Sequence, residues 1–317
     1  MRVLITGGFG YLGGRLAQQL IVGAYAHVIL GSRSESNPPA WLPQAEVVQT
    51  AWGDSASLDR ACAGVDAVVH LAGMNAHDSA NAPAAALQCN GVATAHLLAS
   101  ACRMNVRRFV YVSTAHVYAN PLMGRITEAN CPLNLHPYAS SHRAGEDVVR
   151  SAHERGQIEG VVIRLSNAFG APAHSNANCW SLLVNDLCRQ AVVSRHMVLH
   201  SAGQQQRDFV PLADACCAVE HLLQVPSQAL ADGVFNVGGA RPTRIVDMAT
   251  SIQARCAATL HFTPRLVVSQ PVEGGNDYEL NYRIDKLLAT GFVPAGNALA
   301  EIDATLLLCQ DVWGVFN

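Results

Sequence analysis

Two side chains in the stretch YASSHR can do acid–base chemistry together: Tyr138 and His142. Four residues apart on a helix, they share one face and can meet at one site. A phenol, with an ordinary pKa of about 10, is a proton donor at neutral pH and suits protonation of a carbonyl oxygen during reduction. An imidazole, with an ordinary pKa near 6.5, is mostly neutral at pH 7; it donates one hydrogen bond and brings no charge. Alcohol oxidation needs a phenolate, which a neutral neighbour stabilises poorly. The pair therefore favours the reductive direction.

A second chemical feature lies at the amino terminus. TGGFGYLGG places Gly7, Gly10 and Gly13 between an apolar run, RVLITG, and an amphipathic run, GYLGGRLAQQLIVGA. Gly7 permits a tight turn, Gly10 lets backbone approach a pyrophosphate, and Gly13 lets the helix pack on the sheet. The helix start then offers free N–H groups and a positive dipole end to phosphates. In this strand–turn–helix setting the array predicts a dinucleotide site. The next strand ends in GSRS, with Gly31 where an NAD-preferring fold carries an acid, followed by Ser32 and Arg33. Absence of that carboxylate removes repulsion against a 2'-phosphate, and Arg33 can pair with it, so NADP(H) is favoured over NAD(H).

The elements that must position these residues follow a regular rhythm. AHVILGS, EVVQTAW, AVVHLAG, RFVYVST and GVVIRLS read as further strands. Between them SLDRACAG, AALQCNGVATAHLLASACRMN and YASSHRAGEDVVRSAHERG read as helices. Apolar strands alternating with helices predict an α/β fold: a Rossmann-type doubly wound parallel sheet. After about residue 168 loops rich in Asn, Pro and Gly interrupt the rhythm. The expected division is a dinucleotide-binding domain over 1–167, with 208–238 returning to it. A smaller C-terminal α/β substrate domain is expected mainly from 168–207 and 239–317.

Composition narrows the partners. Of 317 residues half are hydrophobic and 14% charged, and the net charge is -3, which gives no electrostatic reason to expect nucleic acid or anionic membrane. No apolar run approaches the roughly 20 residues of a membrane span. The adjacent pair Arg107–Arg108 reads as a solvated turn. The ten cysteines lack a C-x-x-C pair; Cys62, Cys102, Cys188 and Cys309 sit in apolar stretches and suggest reduced thiols in a cytoplasmic protein. His196 and His200 have helical metal-ligand spacing, but MVLHSAG reads as a strand, where four residues span roughly 13 Å. No metal site is expected.

Taken together, the motifs resemble an extended short-chain dehydrogenase/reductase, the group containing nucleotide-sugar epimerases, dehydratases and reductases. TGGFGYLGG, WGDSASLDRACAGVDAVVHLAG, YVSTAHVY, VVIRLSNAFG and QRDFVPLADA carry the likeness nearly end to end. The resemblance implies a dinucleotide against Gly7, Phe9, Gly10, Tyr11, Leu12 and Gly13, then Ser32 and Arg33, Asp54 and Ser55. It continues along Leu71, Ala72, Gly73, Tyr138, His142 and Leu165. It also implies that Thr114, with Ser113 as understudy, hydrogen-bonds the substrate oxygen while Tyr138 transfers the proton. His142 stands where the family has a lysine that bonds the cofactor ribose and lowers the tyrosine pKa. A second Tyr-x-x-x-Lys, Tyr282 and Lys286, lies late in the chain and matches a turn of the substrate domain instead.

The resemblance also bears on the activity. Its sugar 4,6-dehydratases carry Asp-Glu after the Thr, where this chain has Ala115-His116. Epimerases oxidise and re-reduce on retained NAD, which the GSR element and the missing lysine disfavour. The expectation is an NADPH-dependent reductase of a keto group on a nucleotide-linked keto-deoxysugar or similar carbonyl metabolite. An epimerase with retained NAD(P) and a non-catalytic NADP-binding regulator are the alternatives. Asn75, His116, Asn167 and Arg207 are the expected substrate contacts, although Glu273 stands where many relatives carry a late arginine. The helices AALQCNGVATAHLL and YASSHRAGEDVVRS match those of a family dimer interface, so a homodimer is expected.

Overall fold

The structure, a computed structural model, describes residues 1–23, 27–34, 36–269 and 279–314. Glu273 lies outside them. Seven parallel strands form the central sheet: β1 (Arg2–Thr6), β2 (His27–Ser32), β3 (Glu46–Gln49), β4 (Ala67–His70), β5 (Arg108–Thr114), β6 (Glu159–Leu165) and β7 (Val234–Val237). Their spatial order is β7-β6-β5-β4-β1-β2-β3. The chain therefore winds outward from β1 to β3, then returns to β4 and winds the other way. That reversal leaves a crevice beyond the carboxyl ends of β1 and β4, the place where open α/β sheets bind ligands.

Alternation along each strand divides the core in two. Ile5, Val69, Val110 and Ile163 face α1 (Tyr11–Val22), which contributes Leu16 and Leu20. Their neighbours Leu4, Val68, Phe109 and Val162 face the other way. There they meet Leu58 of α2 (Ser55–Cys62), Leu97 of α3 (Ala93–Arg103) and Val149 of α4 (Pro137–Glu154). Strands buried on both faces are apolar throughout, which is why they were visible as continuous Val- and Ile-rich runs. A third core joins α5 (Leu183–Ser194), α7 (Ile245–Leu260) and α8 (Ala298–Trp313) through Leu187, Ile252 and Leu306. Between them in sequence, α6 (Leu212–Gln224) contributes Val219 and Leu222 to the core beside α1. Leu287 and Phe292 join that core too, although their stretch was expected in the smaller domain.

Two local expectations need correction. The run AALQCNGVATAHLL is not one regular helix: Leu87–Val92 forms a wide π turn before α3. Arg108 is no part of a solvated turn. It opens β5 fully buried, with Nε donating to Glu159 at 2.8 Å and Nη1 to the carbonyl of Leu222 at 2.8 Å. Arg107 is half exposed and pairs with the same Glu159. All ten cysteines are free; Cys62, Cys188 and Cys309 are buried and Cys102 partly so. His196 lies on an edge strand, His196–Leu199, and His200 follows it, both exposed. Among the described residues no helix is long and apolar enough to cross a membrane.

Candidate active site

The crevice begins at the turn out of β1. Gly7 has φ +73°, a left-handed conformation that disfavours a side chain, and a Cβ there would lie 2.7 Å from the amide nitrogen of Ala72. A Cβ on Gly13 would lie 2.3 Å from the Gly7 carbonyl oxygen. The turn, the segment Leu71–Gly73 after β4 and the first turn of α1 are thus in direct backbone contact. No side chain caps α1 and no acid occupies its first turn, so its positive end faces the crevice uncompensated.

Two cavities meet around this turn, sharing Gly7, Gly10, Leu71 and Gly73 in their walls. One, of about 610 Å³, is also bounded by Phe9, Ser32, Arg33, Trp52 and Ala72. The other, of about 380 Å³, reaches Tyr11, Leu12, Gly13, Asn75, Ser113, Thr114, Tyr138, His142 and Leu165. The trough they form runs from a guanidinium, across a helix start, to a phenol, and its shape and donors fit a dinucleotide. Asp54 and Ser55 stay outside both cavities. Asp54 caps α2 by accepting from the amide of Ala56 at 2.9 Å, and Trp52 takes the wall position instead.

At the far end, α4 starts abruptly. The ring of His136 accepts the amide of Tyr138 at 3.2 Å, and Pro137 fixes the first helical position. Tyr138 therefore sits in the first turn and His142 in the second. Their rings meet edge to face, with centroids 4.6 Å apart. Burial pushes the Tyr138 pKa above 10, and a hydrogen bond with Thr114 offsets part of the rise. Burial also drives the His142 pKa down to about 4. Among the described residues no lysine or arginine lines this cavity. Phenol and imidazole are both neutral at pH 7.

The support beneath the pair escaped the sequence reading. Ser113 is engaged elsewhere, donating to Glu146 at 2.6 Å. Glu146, on α4, also receives Arg164 of β6 at 2.7 Å, both nearly inaccessible to solvent. Arg164 extends to the hydroxyl of Tyr118 at 2.9 Å, so α4 is tied to the sheet by a satisfied buried ion pair. Asn90, in the π turn, accepts the amide of Met74 at 2.7 Å and donates to Ser141 at 2.9 Å. It joins the loop after β4 to the helix bearing Tyr138. The one available signal was an Asn-Gly inside an otherwise helical pattern. The late pair does not form a site: Tyr282 is buried with its hydroxyl on the Arg164 carbonyl, and Lys286 pairs with Asp232.

Three of the four expected substrate contacts share a third cavity of about 230 Å³: His116, Asn167 and Arg207. Asn75 lies in the catalytic cavity, but its side chain caps the short helix Ala76–Asn81 through the amide of Asp78 at 2.9 Å. Arg207 is half buried and has no acidic partner among the described residues; burial lowers its pKa. Beside it, burial and then the Arg207 charge lower the pKa of His116, whose Nδ1 is sealed without a partner.

Known proteins share this architecture. The dTDP-glucose 4,6-dehydratase of Streptomyces niveus is 25% identical over 308 residues, covering 93% of this chain and 88% of its own. The putative UDP-glucose 4-epimerase of Methanocaldococcus jannaschii is 25% identical over 92% of this chain and 93% of its own. Among solved structures, the UDP-glucuronic acid 4-epimerase from Bacillus cereus, in complex with UDP-glucuronic acid and NAD, shares the fold. It superposes with a TM-score of 0.79 at 20% identity, over 99% of this chain and 100% of that one. The family profile itself matches residues 3–238, and the chain belongs to the NAD dependent epimerase/dehydratase family.

Proposed function

We propose that the protein is an NADPH-dependent reductase of a carbonyl group on a nucleotide-linked keto-deoxysugar or closely similar metabolite. The observation that carries this reading is the neutral Thr114–Tyr138–His142 group in a cavity whose described wall holds no lysine or arginine. The reduced dinucleotide, when bound, supplies a hydride to the carbonyl carbon. The Thr114 hydroxyl orients the substrate oxygen, and the Tyr138 phenol gives that oxygen its proton. A phenol held above its ordinary pKa is already in the donating form. The obligatory oxidation of an epimerase would require the phenolate, which the Thr114 hydrogen bond favours only in part and no lysine or arginine of the described residues in this cavity stabilises. Dehydration by an acid–base pair after the Thr is disfavoured as well, since Ala115 is an apolar, fully buried residue.

Arg33 supports the cofactor preference. It lines the larger cavity, and its guanidinium has no hydrogen-bond or ion-pair partner among the described residues. Arg207, beside His116 and without an acidic partner among the described residues, suits the diphosphate of a nucleotide-linked substrate. We also propose a homodimer through the outward faces of the π turn, α3 and α4, where Leu87 is 49% exposed; light scattering at micromolar concentration should give twice the chain mass.

A panel of nucleotide-linked keto sugars, followed by NADPH oxidation, tests the activity. Substrate-dependent oxidation that disappears in Tyr138→Phe is the expected result. Redox-neutral epimer formation on a retained dinucleotide would replace the proposal with an epimerase. Tight NADPH binding without turnover of any carbonyl would favour a regulator.

A further inference from the structure

His142 is held by a residue no motif pointed to. The hydroxyl of Tyr111, on β5, lies 2.9 Å from His142 Nδ1 and 3.2 Å from the Asn90 carbonyl. Tyr111 is 1% exposed, and its hydroxyl fits only because α4 has glycine at 145: a Cβ there would lie 2.5 Å from that oxygen. His142 Nε2, by contrast, makes no hydrogen bond among the described residues, and the ring lines the catalytic cavity.

The phenol has one proton, and besides His142 Nδ1 the Asn90 carbonyl and the Thr94 hydroxyl lie within its reach. The Asn90 carbonyl already accepts the hydroxyl of Thr94 at 2.7 Å, the back-bond a threonine makes one helical turn on. Thr94 keeps that role when His70 carries its proton on Nε2. The His70 ring is fully buried between Thr6, at 2.5 Å from Nδ1, and Thr94, at 3.0 Å from Nε2. With Thr6 donating to Nδ1, the Nε2–H of His70 donates to Thr94, and Thr94 donates onward to Asn90. The shorter contact and the unshared acceptor for the Tyr111 proton is then His142 Nδ1.

We propose that Tyr111 is a positioning residue: it donates to His142 Nδ1 and holds the imidazole as the Nε2–H tautomer. A neutral N–H donor then points into the cavity at the place where the family carries a lysine. The inference rests on reading that cavity as the dinucleotide site. Lysine needs no such partner, since all its protons are donors; an imidazole without one could present a lone pair instead.

Nitrogen-15 spectra of histidine-labelled protein without ligand test the tautomer, with the His142 signals assigned by their loss in His142→Lys. The expected wild-type form is Nε2–H, and Tyr111→Phe should raise the Nδ1–H population. The same variant should weaken NADPH binding about three- to tenfold, the range of one net hydrogen bond. In the His142→Lys background, Tyr111→Phe should change NADPH affinity by less than about twofold, because the lysine has no tautomer to fix. An Nδ1–H tautomer in the wild type would overturn the proposal, as would equal losses of affinity in both backgrounds. The wild-type spectrum decides the tautomer even if Tyr111→Phe does not fold. A protein with the expected tautomer and no NADPH affinity would overturn the dinucleotide reading instead.

Discussion

Tyr138 and His142 face each other edge to face, their ring planes at 72°, on successive turns of one helix. Contact without charge is what separates this site from one built around lysine. An ammonium at this distance would favour the phenolate, whereas a neutral imidazole leaves the phenol protonated. The cofactor end, the supporting network and the titration of the site each follow from that arrangement and can be measured separately.

At the cofactor end, Arg33 stands at the cavity wall next to Ser32, and no carboxylate of the described residues lines that cavity. Fluorescence titration of Arg33→Ala should show NADPH weakened by about 1.5–3 kcal/mol, the range for a hydrogen bond to a charged group, with NADH little changed. Wild-type protein that binds both cofactors equally would remove the basis for the preference.

Beneath the helix, Glu146→Gln leaves the buried Arg164 guanidinium without its counter-charge. Loss of one partner of such a pair costs about 3–5 kcal/mol. Urea denaturation should record that loss, together with weaker protection of α4 in hydrogen exchange. A change below about 1 kcal/mol would mean that the pair is not sealed from water.

The two buried histidines impose a pH dependence on folding. His142 is depressed to about 4 and His70 to about 3, both by burial, from an unfolded value near 6.5. Between those values the unfolded chain binds protons that the folded one refuses, so stability rises with pH across that window. It should be fully present above about pH 6.5 and lost as pH falls through 4 toward 3, by on the order of 3 kcal/mol for His142 alone. Denaturation at a series of pH values should show this slope, reduced in His142→Gln. An unchanged slope in that variant would place the titration elsewhere.

Local patterns were readable before the structure, and contacts between distant elements were not. Gly7, Gly10 and Gly13 announce their backbone roles because one turn and one helix start fix them. Tyr138 and His142 announce a shared face because helical spacing fixes it. Glu146 and Arg164 are ordinary charged letters in sequence; only the packing of α4 on β6 makes them a buried pair. Arg108 misled for the same reason: its partners, Glu159 and the Leu222 carbonyl, come from elements folded against the start of β5. Asp54, assigned to the cofactor by likeness, also caps α2, a role its local position before a helix marks by itself.

The state of the Tyr138 phenol tests the central claim most directly. A difference ultraviolet titration between wild type and Tyr138→Phe, with NADPH present, reads phenolate formation at this one residue. The midpoint of ionisation should lie above pH 10, since burial raises the pKa more than the Thr114 hydrogen bond lowers it. His142→Lys should then move the same transition downward, because an ammonium favours the phenolate. A wild-type phenolate that forms near neutral pH would contradict the neutral proton donor, and with it the case for a reductase.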